Sequence, residues 1–218
     1  MRQGTDGNMA SPTALVGMFF VGASLVLMVV AFASPYWVES YEEFKAPFIK
    51  LGLWEFCFND YTFYKDYNGK RYLGCFYVFS PEIRPIWEWV SPPWFISVQV
   101  MVSASLLIIF LISVTLTLNV FQLFPKHMDY AVYLGSAVGM AVCTVTIFIA
   151  LIVFGVYKED RRWIPRPDMN LLSWSYGMCV MSGFFCLLSA LSLYLAGKEK
   201  KKEFDNSKYA APHVTTYT

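Results

Sequence analysis

Four apolar stretches divide the chain, at about residues 13–34, 94–120, 131–156 and 171–196. The first is bracketed by Pro12 and Pro35. Each is long enough to cross the ~30 Å hydrocarbon core of a bilayer as a helix. None contains Asp, Glu, Lys, Arg or His. Ionisable groups in hydrocarbon are costly and mark function, so their absence argues against a proton-coupled transporter or an ion pathway through the bundle. The first stretch ends in Ala31-Phe32-Ala33, which has the form of a signal cleavage site. It is longer than a signal core and is preceded by a single cation, Arg2, so it reads as an uncleaved span.

Between the first two spans, residues 35–93 read as strands. Tyr36–Tyr41 alternates in part, and Phe48–Leu51 leads into Gly52-Leu53-Trp54. Glu55–Phe58 and Leu73–Phe79 flank the turn signal Asn68-Gly69, and all are rich in β-branched and aromatic residues. Cys57 and Cys75 lie on either side of that turn and read as a disulfide clamping a hairpin; the alternative is two free thiols. Such a bond persists in an oxidising space, which places this segment outside the cell. The fold expected is thus an all-α membrane protein: a four-helix transmembrane bundle in one domain, 1–218, with a small extracellular antiparallel β-sheet from the first outer loop.

Charge fixes the orientation. Four spans put both termini on one side, and residues 197–218 carry Lys198, Lys200, Lys201, Lys202 and Lys208. The positive-inside bias makes that tail, and both termini, cytoplasmic. The second outer loop, 157–170, dissents mildly with Lys158, Arg161, Arg162 and Arg166. The chain is 56% hydrophobic and only 15% charged, with a net charge of +1, which offers no electrostatic footprint for nucleic acid. The first outer loop carries Lys45, Lys50, Lys65, Lys70, Arg71 and Arg84 against Glu39, Glu42, Glu43, Glu55, Asp60, Asp66, Glu82 and Glu88, a balance that sets no ion preference.

Small residues at Gly17, Gly22, Ala23 and Ser24, and at Gly135 and Gly139, allow close helix approach in lipid. Cys143, Cys179 and Cys186 fall within spans and read as small apolar residues. Trp87, Trp89 and Trp94 sit where an interfacial belt is expected. The second outer loop places Trp163 and Ile164 amid charges and prolines. Such an apolar pair either forms an exposed contact tip or lies back on the headgroups or the sheet. The histidines, His127 and His213, lack acidic or cysteine neighbours in sequence, so no metal site is expected. No phosphate loop, nucleophile elbow or N-glycosylation sequon is present. Neither a cofactor nor catalysis is expected.

Trp37, then Gly52-Leu53-Trp54, then Cys57 and Cys75, between spans one and two of four, resembles the claudin signature. Arg84, shortly before the second span, looks like the arginine that claudins keep there. The order of a large first and small second outer loop is unlike that of tetraspanins, and connexins have several cysteines in both outer loops. This chain departs from the family in its longer Cys57–Cys75 spacing, in lacking juxtamembrane cytoplasmic cysteines, and in ending Tyr217-Thr218 rather than Tyr-Val. Its long aromatic first loop looks most like divergent claudin-like proteins of invertebrate septate junctions.

The resemblance implies a left-handed bundle and a plasma-membrane protein of lateral cell–cell junctions. It implies polymerisation with itself and other claudin-like proteins, in the same and the opposing membrane, to restrict paracellular diffusion. Trp37 and Trp54 would anchor the sheet, Trp163 and Ile164 would touch the opposing cell, and the tail would offer at most a weak scaffold ligand. A rival reading is an auxiliary subunit of an ion channel or receptor, since calcium-channel γ and AMPA-receptor regulatory subunits share the signature; a third is a relative of peripheral-myelin and epithelial-membrane proteins.

Overall fold

The computed structural model describes residues 11–41, 47–63, 69–164 and 170–210. In chain order these form α1 (Pro12–Ala33), β1 (Val38–Ser40), β2 (Phe48–Leu51), β3 (Glu55–Thr62), β4 (Arg71–Tyr77), a 3-10 turn (Pro81–Ile86), α2 (Trp87–Val90), α3 (Pro93–Val120), α4 (Asp129–Tyr157), β5 (Asn170–Leu172) and α5 (Trp174–Ala210). Four of the helices, α1, α3, α4 and α5, are long and apolar enough to cross a membrane. Without water, backbone groups must pair within the segment, and a helix does this. Pro12 and Pro93 open α1 and α3, where their missing N–H costs nothing.

Small residues set how closely the helices approach. A Cβ on Gly17 would meet Leu193 at 2.8 Å, one on Gly197 would meet Leu134 at 2.8 Å, and one on Gly139 would meet Ile112 at 2.7 Å. Gly22 and Gly135 face open space, so only Gly17 and Gly139 of the expected glycines set interhelical distances. Between α1 and α5 the Ser182 hydroxyl donates to the Ser24 carbonyl at 3.0 Å, with Cys186 beside them. Cys143, Cys179 and Cys186 are free and buried. The start of α1 is tied to α5, for Glu199 Oε2 accepts from Ser11 at 2.7 Å and Thr13 at 2.9 Å.

At the opposite end lies a five-stranded antiparallel sheet in the order β4-β3-β2-β1-β5. Cys57 stands opposite Cys75 in the β3–β4 register, with Phe56 opposite Phe76 and Phe58 opposite Gly74. Beyond Phe58 the pairing resumes at Tyr61 with Tyr72, so Asn59 and Asp60 oppose the single residue Leu73 and form a bulge. Asp60 takes φ 52° there, a conformation that Asp tolerates better than most residues. The ladder ends at Thr62 and Arg71; Gly69 has φ 56°, and Asn68, the other half of the turn signal, lies outside the described residues.

Two boundaries differ from the sequence expectation. β5 comes from the second outer loop and pairs with β1, Ser40 opposite Asn170 and Val38 opposite Leu172. Leu171 and Leu172 are apolar enough to be counted into a span, yet the sheet edge takes them and α5 starts at Trp174. At its other end α5 runs past residue 196 to Ala210, because the lysine- and glutamate-rich sequence there is a good helix former and Lys200 pairs with Glu203 one turn on at 2.9 Å.

Candidate functional site

The signature residues meet where the sheet roots on the bundle. Trp37 is fully buried. Its indole Nε1 donates to the Ala31 carbonyl at 2.7 Å, an acceptor in the last turn of α1 that has no partner within the helix. The ring meets Phe154 of α4 edge-on at 5.0 Å and Tyr176 of α5 at 5.8 Å. Its backbone is held on both sides: the Trp37 N–H donates to the Leu51 carbonyl at 2.8 Å, and the Ser173 N–H donates to the Trp37 carbonyl at 3.0 Å. One side chain thus joins the exits of three helices to the middle of the sheet.

Each residue of Gly52-Leu53-Trp54 has a separate task. Gly52 packs on the exit of α1; a Cβ there would stand 2.5 Å from Pro35 Cα and 2.8 Å from the Ser34 carbonyl, backbone that cannot yield. Leu53 is fully buried, and its carbonyl accepts from Gln99 Nε2 of α3 at 2.6 Å. Trp54 is half-buried, with Phe32 of α1 at 5.2 Å and Phe79 stacked at 5.9 Å. Its buried indole N–H has no hydrogen-bond partner among the described residues. The expected pair of anchors therefore divides: Trp37 is a hydrogen-bonded core plug, and Trp54 is an apolar wedge at the rim.

Cys57 and Cys75 form a disulfide, which discards the free-thiol alternative. Cys57 is fully buried while Cys75, opposite it on the neighbouring strand, is exposed, so the bond is a cross-strand clamp on one face of the hairpin. Glu55 lies beside the pair, but their sulfurs are bonded to each other and offer no thiolate for a metal. Arg84 is exposed in the 3-10 turn and lines an open cleft with Val78, Phe79, Trp87 and Glu88, away from Trp37.

The exposed-tip expectation for Trp163 and Ile164 is not met. Trp163 is 4% exposed and Ile164 3%. The Trp163 indole donates to the Val90 carbonyl at 3.2 Å and lies edge-on to Trp94 at 4.5 Å and near Phe95 at 5.4 Å. The apolar pair packs inward under the sheet, and the exposed residues are Arg161 and Arg162. The turn that delivers Trp163 is fixed by Asp160, whose Oδ1 accepts the Arg162 backbone N–H at 2.9 Å while its carbonyl accepts the Trp163 N–H at 2.9 Å. The Arg162 backbone N–H, and then its guanidinium, hold the Asp160 carboxyl below its ordinary pKa. Pro165, Arg166 and Pro167 fall outside the described residues.

Trp89 is half-buried. It stacks on Tyr61 at 5.4 Å, packs on Phe63 at 5.0 Å, and donates to the Arg162 carbonyl at 2.9 Å. Sequence reasoning passed over Gln99, Phe154 and Tyr176. A signal existed for Gln99: with Asn119 it is one of two carboxamides in its span. Phe154 and Tyr176 carry no such mark among the many aromatic residues of the spans.

A bundle of four membrane-length helices bearing a disulfide-clamped sheet, rooted through tryptophan and a Gly-Leu-Trp turn, defines a class of multi-pass membrane protein. A family model described as PMP-22/EMP/MP20/Claudin tight junction matches residues 23–196, and the chain belongs to that family. A comparison with curated proteins gives no match.

Proposed function

We propose that this protein builds a cell–cell junction of the septate or tight type, polymerising in the lateral plasma membrane into a barrier to paracellular diffusion. The observation that carries this reading is the union of both outer loops in one sheet, closed by β5 and rooted on the helices by Trp37. A sheet so fixed presents its surface as a rigid body, which assembly into ordered strands needs. β4 and the turn that follows it expose Leu73, Tyr77 and Phe79, the last 76% exposed, apolar surface of the kind that marks a protein contact. Further support comes from membership of a tight-junction family.

In this reading the partners are further copies and other claudin-like proteins, in the same membrane and across the gap, with the bilayer around the bundle and at most a weak scaffold contact at the tail. Both termini are cytoplasmic, the mechanism is assembly, and no substrate is turned over. Because Trp163 and Ile164 are buried, contact across the gap falls to other residues of the outer surface.

The test is expression in cultured epithelial cells lacking their own junction strands, followed by freeze-fracture and tracer flux. Strands in the lateral membrane with reduced flux are expected. Diffuse surface protein that co-purifies with an ion channel and leaves flux unchanged would replace this reading with that of an auxiliary channel subunit.

A further inference from the structure

At the end of the bundle opposite the sheet, a cavity of about 550 Å³ opens between the α3–α4 connection and the extension of α5. Nothing in the junctional reading uses it. Its wall carries charges of both signs: Lys126 and Lys200 stand with Asp129 and Glu203, and His127 lies at the same edge. Tyr130 and Phe204, stacked at 5.6 Å, form an aromatic side. Asn119, at the end of α3, also lines it and is 8% exposed, yet its Oδ1 has no hydrogen-bond partner among the described residues. Its amide is engaged with Tyr133 through the other end. A buried, unpartnered acceptor is a cost that a bound donor removes.

The chemistry of the wall selects the ligand. The orphan acceptor and two carboxylates ask for a cation with N–H donors. The lysines, one of them free of any ion pair among the described residues, ask for an anion beside it. A simple anion would sit against Asp129 and Glu203 and leave Asn119 unpaired. A quaternary ammonium has no N–H to give. Next to the cavity Phe121 and Leu123 are 70% and 65% exposed, apolar surface that belongs at the level of lipid.

We propose that this cavity binds a phosphoethanolamine group, as presented by phosphatidylethanolamine in the adjoining leaflet. Its primary ammonium donates to Asn119 Oδ1 and Asp129 against the faces of Tyr130 and Phe204, and its phosphate lies on Lys126 and Lys200. The site is independent of the junctional role and would serve whichever partner the outer sheet meets.

The test is native mass spectrometry of the full chain released from nanodiscs holding equal amounts of phosphatidylethanolamine, phosphatidylcholine and phosphatidylglycerol with identical acyl chains. Wild type is expected to retain phosphatidylethanolamine about tenfold over phosphatidylcholine, the worth of a hydrogen bond from a charged donor. Asn119→Leu and Asp129→Asn are each expected to bring that ratio near one while keeping the wild-type melting temperature in pure phosphatidylcholine. Soluble phosphoethanolamine that competes the lipid off confirms the headgroup as the recognised part; soluble phosphoethanolamine that binds where the lipid does not assigns the same chemistry to a free ligand. Equal retention of the three lipids, a preference for phosphatidylglycerol, or an undiminished ratio in both variants overturns the proposal.

Discussion

The side-chain amide of Gln99, in the first half of α3, donates to the carbonyl of Leu53 at 2.6 Å. The bond fastens the Gly-Leu-Trp turn to α3, with both groups buried. Gln99→Leu leaves that carbonyl unpaired, and a loss of about 1–3 kcal/mol is expected. The melting temperature of purified protein reads it; Ser97→Ala, two residues earlier on the exposed face, serves as control and should change little. Equal shifts for the two would show that the Leu53 contact contributes nothing.

Gly52→Ala places a methyl group 2.5 Å from Pro35 Cα. Either the sheet or the exit of α1 must move, at a cost of about 3 kcal/mol, the upper end of overpacking. The variant is expected to be held inside the cell, with normal surface delivery for Gly22→Ala, whose site is open. Surface biotinylation decides it.

The two signature tryptophans should answer differently to Phe. Trp37→Phe removes the donor to Ala31 and leaves a gap between Phe154 and Tyr176, and at least about 2 kcal/mol should be lost. Trp54→Phe deletes a buried N–H that has no partner among the described residues and keeps the ring between Phe32 and Phe79, so stability should hold or rise. Matching losses at both sites would mean that the tryptophans act as one unit.

Cys57→Ser or Cys75→Ser removes a crosslink between residues 18 apart, worth about 3 kcal/mol on the chain-entropy argument. Loss of surface protein is expected. In the native wild type, alkylating reagents should modify neither Cys57 nor Cys75; labelling of both would show the bond to be absent.

The Asp160 turn predicts a pH dependence. Its carboxyl titrates below the ordinary value of 3.8, held down by the Arg162 backbone N–H and guanidinium. The folded form therefore prefers the carboxylate, and its contribution is complete above that value and lost as the pH falls through the lower, folded one. Between pH 7 and 5 the melting-temperature gap between wild type and Asp160→Asn should stay constant, and it should close in stronger acid. A gap that changes around pH 6 would point to another group.

The spans, the disulfide and the sheet were legible because each leaves a local mark: long uncharged runs, a cysteine pair around Asn68-Gly69, and aromatic strands. β5 left no such mark, since Leu171 and Leu172 suit a helix and a strand equally and only pairing with β1 decides. Trp163 misled for a related reason: a tryptophan among arginines looks like a contact tip, while the cleft beneath the sheet that receives it is built largely from residues far off in sequence, Val90, Trp94 and Phe95. Asn119 and Gln99 were visible as amides in a span, but their different tasks depend on which end of α3 they occupy.

Only Ser173 stands between the sheet's edge strand and the first residue of α5, and it is fastened to the sheet by its N–H on Trp37 and its hydroxyl on Glu39 at 3.0 Å. From there α5 runs 37 residues with no proline, a rod of about 55 Å. A sideways pull on the outer sheet therefore has no joint in which to dissipate before it reaches the far end of the bundle. The orientation of the sheet and that of α5 are therefore set together, by one short and doubly hydrogen-bonded link.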